Sequence, residues 1–392
     1  MKKFVSTLLA GLMAMSLVAC GGTQNNTSTP TADSGSTEQT TTETTGSDEA
    51  MKVAMVTDYG DITDQSFNQT TYEASKAFCE SNGVEFTYKK PASDADADRV
   101  ASIEEAIEEG YNVIVMPGFA FANAIYEVAP LYPDTKFVAL DVSEGDLTAY
   151  GEREFDGSNV YSAVYQEELA GYMAGYAAVK LGYKKLGFLG GMAVPAVIRY
   201  GFGFVQGAEA AAKEAGVDGV EIKYAYGNQF FGDPDITAAM DTWYSDGTEV
   251  VFACGGGIFT SAAEAAAKVN AKVIGVDVDQ AGTIDGSYGA GMTVTSAMKG
   301  LAPTVQTLLS EIKAGNWDKY KGKIENLGLV SEDPSLNYVQ LPTSTQWADG
   351  FTEADYKTLV GELYKGTRKV DSGTETMPAT EAIKVDDQGN IK

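Results

Sequence analysis

From residue 52 onward, short apolar runs alternate with longer amphipathic stretches. KVAMVT at 52–57 precedes a helical pattern from Ser66 to Ser81, and VEFTYK at 84–89 precedes one from Asp98 to Glu109. NVIVMP at 112–117 is followed by a helix from Ala122 to Leu131, and KFVALD at 136–141 closes the series. This is the rhythm of βαβ units around a parallel sheet. It starts again after Asn159: a helix from Glu167 to Leu181, KKLGFLGG, a helix near Val197 to Ala215, VEIKYAY, a helix near Pro234 to Ser245, EVVFACGGG, a helix from Thr260 to Asn270, and KVIGVD. The pattern predicts an α/β protein of two similar parallel-sheet lobes with a junction near residues 150–165. The remainder of the chain, beginning MTVTSAMKGLAPTVQTLLSEIKAG, must add elements to lobes already built, so the chain crosses between them more than once. The expected division is 51–158 plus about 287–322 for the N-terminal lobe and 159–286 plus about 323–366 for the C-terminal lobe. Residues 367–392 are polar and expected to form a loose tail.

Open parallel sheets bind ligands beyond the carboxyl ends of their strands. There KVAMVT runs into Asp58, NVIVMP into Gly118 and Phe119, and KFVAL into Asp141. In the second series LGFL runs into Gly190 and Gly191, VVFAC into Gly255, Gly256 and Gly257, and VIGV into Asp277. Glycines let backbone amides approach a ligand, and a carboxylate accepts hydrogen bonds from neighbouring hydroxyls. Helix capping and simple turns explain any one of these positions equally well. Three aspartates at equivalent strand ends favour a shared site in a cleft between the lobes.

The amino terminus changes the picture of where this body resides. Two lysines, an apolar segment from Phe4 to Ala19 and the sequence Leu17-Val18-Ala19-Cys20-Gly21 predict an export signal over residues 1–19 ending in a lipobox, with Cys20 as the lipidated residue. Residues 23–50 hold 14 Ser or Thr among 28 and no aromatic side chain, so they cannot form a core and should act as a flexible tether. The expected localisation is the extracytoplasmic face of the cell membrane.

Charge and composition then remove whole classes of function. The net charge is −27, or −29 once Lys2 and Lys3 leave with the leader, which argues against nucleic acid and against electrostatic adhesion to anionic lipid. The chain has no histidine, so Ser-His-Asp hydrolysis, His-ligated zinc and a histidine switch are excluded within it. Cys79 and Cys254 read as two small buried residues rather than a bridge. Asp94, Asp96, Asp98 and Glu105 imitate the spacing of a calcium loop, but Arg99 stands where that loop needs glycine, and helix-start acids are the better reading. Gly201, Gly203 and Gly207 lie inside a helical pattern, which argues against a dinucleotide loop. Asp277, Asp279, Thr295 or Ser296, and Lys299 loosely imitate a phosphatase constellation, yet the acid pair sits on a late strand; no enzymatic activity and no cofactor are expected.

The lipobox, TDYGDITDQSFNQ, FVALD, IRYGFGFVQGA, GVDVDQ and VTSAMK, in this order, closely resemble the basic membrane protein family of substrate-binding lipoproteins, the purine-nucleoside-binding group of ABC importers. The resemblance covers roughly residues 51–345. It implies a type I periplasmic-binding-protein fold, two α/β lobes joined by a three-crossover hinge, and a monomeric receptor that delivers inosine, guanosine or adenosine to ABC permease and ATPase subunits. The family commonly has Asp-Lys-Ser-Phe-Asn where this chain has Gln65 after Asp64, a position expected to face solvent. On this basis Asp64 or Ser66 caps a helix whose first turn carries Phe67 and Asn68. Phe67 and, from the other lobe, Tyr200 would stack on a base, while Asn68 reads its edge. Asp58, Asp141, Gly256 and Asp277 would line the site. Lys299, expected in a helix opened by Thr295 and Ser296, would donate to the ribose. A receptor of the same fold for a sugar, a peptide or another small molecule is the alternative.

Overall fold

The computed structural model describes residues 50–58, 60–149 and 156–392, so the expected leader, Cys20 and the tether lie outside the described residues. The first series builds β1 (Lys52–Val56), α1 (Phe67–Asn82), β2 (Glu85–Lys89), α2 (Asp96–Glu108), β3 (Val113–Pro117), α3 (Ala122–Val128), β4 (Lys136–Leu140), α4 (Glu144–Thr148) and β5 (Val160–Tyr165). The second builds α5 (Glu167–Lys180), β6 (Lys185–Gly190), α6 (Pro195–Ala215), β7 (Val220–Tyr226), α7 (Pro234–Ser245), β8 (Val250–Cys254), α8 (Phe259–Val269), β9 (Lys272–Asp277), α9 (Ala281–Tyr288) and β10 (Thr293–Lys299). The chain ends with α10 (Leu301–Lys313), β11 (Lys323–Leu327), β12 (Val339–Gln340), α11 (Glu353–Tyr364) and β13 (Ile383–Asn390).

One sheet has the order β11-β5-β4-β3-β1-β2 and the other β12-β10-β9-β8-β6-β7-β13. Every pairing is parallel except that of β12 with β10. Helices cover both faces, which is why the central strands are apolar without alternation. Val53, Met55, Val113 and Val115 pack on one side of the first sheet while Ala54, Val56, Ile114 and Met116 pack on the other. Burying each such Val, Ile or Met contributes about 1.5–3 kcal/mol.

The lobe boundaries differ from expectation. β5 and β11 belong to the first sheet, whereas β10 belongs to the second, because each takes its partner from there. The chain therefore crosses at Gln166, at Gly300 and through residues 328–338. Backbone hydrogen bonds hold the crossings side by side: Gln166 N to Leu327 O at 3.0 Å, Tyr338 N to Gly328 O at 3.0 Å and Gly300 N to Tyr338 O at 2.7 Å. Thr295 and Ser296 do not open a helix; they lie in β10, and the helix begins at Leu301. Their β-branched neighbours Val294 and Thr293 suit the buried strand.

Nor is the carboxyl terminus a loose tail throughout. β13 adds to the edge of the second sheet beside β7, and the approach to it is held by Glu209, whose carboxylate accepts from the amides of Glu381, Ala382 and Ile383. A polar exposed strand of this kind carries no hydrophobic signal; its backbone ladder and the Glu209 clasp order it.

Helices α5 and α6 meet backbone to backbone. A Cβ added at Gly171 or Gly203 would fall 2.0 Å or 2.1 Å from a carbonyl oxygen of the facing helix, and Gly175 and Gly207 are equally tight. Gly203 and Gly207 of GFGFVQG thus serve the packing of α6 on α5 while Gly201 fits against Tyr224 and Phe188 of the sheet, and that packing sets the position of Arg199 and Tyr200 relative to Glu167.

Candidate functional site

The carboxyl ends of the strands converge between the lobes. Asp141 follows β4 and Asp277 ends β9, and both have left-handed backbone, φ 63° and 65°. For a non-glycine residue that conformation costs about 1–2 kcal/mol, so the surrounding structure must impose it. It turns the two carboxylates toward each other's lobe, and Lys299 at the end of β10 lies between them. Its Nζ is 2.5 Å from Asp141 Oδ2, 3.4 Å from Glu167 Oε1 and 3.9 Å from Asp277 Oδ1. The ammonium also stands 4.6 Å from the Phe67 ring centroid, 5.4 Å from that of Tyr165 and 5.8 Å from that of Tyr200. Burial works to lower the Lys299 pKa, but Asp141, Glu167 and Asp277 outweigh it and hold it above the ordinary lysine value.

The amino end of α1 is shaped by Asp64. Its Oδ1 accepts from the amides of Ser66 (2.9 Å) and Gln69 (3.0 Å), and its Oδ2 from the amide (2.9 Å) and side chain (3.2 Å) of Asn68. Burial nevertheless keeps this carboxyl above its usual value. Asp64 therefore supplies the cap that either it or Ser66 was expected to supply. Ser66 makes no side-chain cap bond; its Oγ donates across the cleft to Asp277 Oδ2 at 2.5 Å. Gln280 Nε2 also crosses, reaching the Gln65 carbonyl at 3.1 Å. Gln65 has φ 55° and an exposed side chain, as its expected solvent position requires.

Asp58, after β1, is enclosed more tightly. A Cβ at Gly118 would fall 1.9 Å from Asp58 Oδ2, and Gly118 has φ 128°, so only glycine fits beside this acid. Burial pushes the Asp58 carboxyl up to about 6, against hydrogen bonds from the Gly60 amide and Asn68. Asp277 is likewise pushed up to about 6 by burial, against the pull of Lys299 and Ser66.

The nine candidate residues Asp58, Asp64, Phe67, Asn68, Asp141, Tyr200, Gly256, Asp277 and Lys299 all line one cavity of about 70 Å³ that is partly open to solvent. Within it Asn68 Oδ1, Asp141 Oδ1 and the Tyr200 hydroxyl are buried without a hydrogen-bond partner. Gly256, φ 52°, turns the chain after β8 so closely that a Cβ would lie 2.9 Å from the Phe230 carbonyl. Phe67 is half-buried, whereas Tyr200 is 2% exposed and packs edge-on against Phe252. The Tyr200 ring is thus largely a core element.

Phe230 lines the cavity too and was not among the expected residues. Its signal was the loop GNQFFGD after VEIKYAY, a strand end to which the rule used for the other strands applies equally. Glu167 and Arg199 carried no such signal, because their 2.7 Å pair depends on how α5 and α6 pack.

The calcium-loop acids lie away from the cavity. Asp96 and Asp98 lie in the first turn of α2, where Asp96 pairs with Arg99 and Asp98 with Ser93. Of the phosphatase-like residues, Asp277 and Lys299 meet at the cavity, while Asp279 accepts from the Ala281 amide and Ser344 and Thr295 pairs with Thr345, so the set as a whole does not converge. Cys79 and Cys254 are free and buried. No helix among the described residues is long and apolar enough to cross a membrane.

Two α/β lobes connected by three crossings among the described residues, with a charged cavity between them, have the architecture of the periplasmic-binding-protein type. Residues 51–333 match the Bmp family, described as ABC transporter substrate-binding protein PnrA-like, and the chain belongs to that family. It is 32% identical over 247 residues to the ABC transporter nucleoside-binding protein BmpA of Lactococcus lactis, a match that spans 59% of this chain and 64% of that relative. It is 30% identical to a CD4+ T-cell-stimulating antigen of Listeria monocytogenes, over 68% of this chain and 74% of that one. Among solved structures, an ABC transporter solute-binding protein of Aeropyrum pernix aligns with TM-score 0.65 and 21% identity, covering 83% of this chain and 94% of that one, a likeness of fold. Family membership makes the chain a substrate-binding component of an ABC transporter, a role that implies a small-molecule ligand and permease and ATPase partners, and the family is not a class of enzymes.

Proposed function

We propose that this chain is a lipid-anchored, extracytoplasmic receptor that captures a purine nucleoside, inosine, guanosine or adenosine, and delivers it to its permease. The observation that carries the reading is the set of partnerless buried atoms on Asn68, Asp141 and Tyr200 inside an aromatic-walled cavity. Leaving such an atom unpaired costs about 1–3 kcal/mol, a cost that a bound ligand with matching donors removes. Asn68 can donate and accept at once, as a purine edge requires, and Asp58 beside it accepts from base N–H groups. Asp141, Asp277 and Lys299 form the polar end suited to ribose hydroxyls. Phe67 and Phe230, rather than the core-bound Tyr200, offer the aromatic faces, and each base–ring contact is worth about 1–3 kcal/mol. The Lactococcus relative, a nucleoside-binding protein, supports the same ligand class. The anchor rests on the lipobox at Cys20.

Calorimetry of the full chain with the three nucleosides, ribose and galactose tests the ligand. Tight sugar binding with no nucleoside binding would overturn it in favour of a sugar receptor. For the anchor, Cys20→Ala should leave an unprocessed precursor that takes up no labelled fatty acid; normal labelling would refute the lipobox.

A further inference from the structure

Lys299 ends β10 one residue before the crossing at Gly300, and Glu167 opens α5 one residue after the crossing at Gln166. Their contact therefore joins two of the three crossings on the side that faces the cleft. Glu167 is fully buried and is not among the residues that line the cavity. One carboxylate oxygen faces Lys299 at 3.4 Å and the other accepts from Arg199 Nε at 2.7 Å. Arg199 rides on α6, which the close approach at Gly171 and Gly203 locks against α5, so the pair belongs to the second lobe.

Lysine has a long flexible stem and a compact charge, and nothing in its own geometry selects one carboxylate over another. With only Asp141 of the first lobe and Asp277 of the second beside it, Lys299 would follow whichever acid lay nearer as the lobes move. Asp141 is nearer, at 2.5 Å against 3.9 Å. Glu167 pulls from the second lobe, at the hinge itself, and Arg199 keeps Glu167 from turning away. Supporting contacts of this kind hold a binding group to its working geometry.

We propose that Glu167 is a positioning residue that acts through Lys299, holding its ammonium between the strand-end aspartates of the two lobes and tying the polar end of the binding site to the hinge. The placement rests on the side-chain geometry, while the choice of probe ligand rests on the nucleoside reading above. Glu167→Gln keeps the shape of the side chain and removes its charge.

The test titrates the full chain, wild type and Glu167→Gln, with inosine and with 2′,3′-dideoxyinosine, and compares unliganded crystal structures of the two. Expected are an inosine affinity lowered about tenfold, as for loss of one charge-assisted contact, a dideoxyinosine affinity that stays near wild type, and Lys299 Nζ displaced from its place between Asp141 and Asp277. A merely structural role would weaken both ligands alike, and that result, or an unmoved Lys299, overturns the proposal. If the wild type binds no nucleoside, the nucleoside reading falls, while the position of Lys299 in the two crystal structures still decides the role of Glu167. Should Glu167→Gln fail to fold, Arg199→Gln is read the same way, with a smaller loss confined again to inosine and the same direction of movement at Lys299; an unmoved Lys299 there overturns the proposal.

Discussion

At the carboxyl end of β1 the first lobe presents Asp58, whereas the matching strand of the second lobe, β6, runs into Gly190 and Gly191. The lobes agree more closely at β4 and β9, which occupy equivalent places and both deliver an aspartate in the left-handed conformation. One strand further out the lobes part again, since β5 ends in Tyr165 and β10 in Lys299. The first lobe thus contributes three acids, an amide and the half-buried Phe67, and the second contributes the cation, Asp277, the glycine turn after β8 and Phe230. Repeating a topology repeats the directions in which strand ends point, while the side chain at each end remains free to differ. A ligand contacted by both sets gains its full interaction only when the lobes meet, which couples binding to closure.

The largest effects should come from the second lobe. Lys299→Met would strand Asp141, Glu167 and Asp277 in a buried cluster, and breaking such a pairing costs about 3–5 kcal/mol of stability. Tyr200→Ala would open a core cavity at a similar cost of about 3–5 kcal/mol. Denaturant unfolding of the unliganded proteins measures both, and wild-type stability in Tyr200→Ala would return that ring to the cleft wall.

Among the cavity acids with raised pKa, one in each lobe, Asp58 and Asp277, is pushed up to about 6 in the folded chain, against an ordinary 3.8. Between these values the native state keeps protons that the unfolded chain has released, so stability falls as pH rises from about 4 to 6 and stays low above that window. Each carboxyl accounts for up to about 3 kcal/mol, at roughly 1.4 kcal/mol per pH unit. Asp58→Asn and Asp277→Asn should each be more stable than wild type at neutral pH when unliganded, with the advantage vanishing toward pH 4. An advantage that persists unchanged in acid would show that ionisation is not its source.

Phe67 provides a smaller effect of a different kind. Because its ring faces the cleft, Phe67→Ala should leave unliganded stability close to wild type and weaken nucleoside binding by about 1–3 kcal/mol. Melting curves and titrations of one preparation separate the two, and a large destabilisation without a separate affinity defect would place Phe67 with Tyr200 in the core. Smallest of all should be the loss of the outermost strand. A chain ending at Ala382 gives up the exposed ladder on β7, at about 1–2 kcal/mol, and should bind its ligand as before, since β13 adds at the outer edge of the second sheet and none of its residues lines the cavity. A changed affinity would bring the carboxyl terminus into the binding machinery.

Most helices and strands were legible because continuous apolar runs and 3.6-residue periodicity record burial directly. The helix Pro234–Ser245 is found where it was expected, and others begin or end within two residues. The strand-end rule likewise reached Asp58, Asp141, Gly256 and Asp277, since position along a parallel strand is a local property. Three things were not local. The residues of β10 by themselves predict the start of a helix in the other lobe, because the strand's sheet membership depends on a partner, β9. β13 is polar and exposed, so its pairing leaves no apolar signature. The Arg199–Glu167–Lys299 chain joins α6, α5 and β10, and no spacing along the sequence brings them together. The two-lobed α/β architecture and the residues that reach the cleft were set by the order of amino acids alone, because hydrophobic period and strand polarity are written residue by residue. Which of those residues face one another, which carboxylates share the single ammonium of Lys299, and which aromatic is wall rather than core were decided when the lobes came together, because burial and charge pairing depend on distances that the chain acquires on folding.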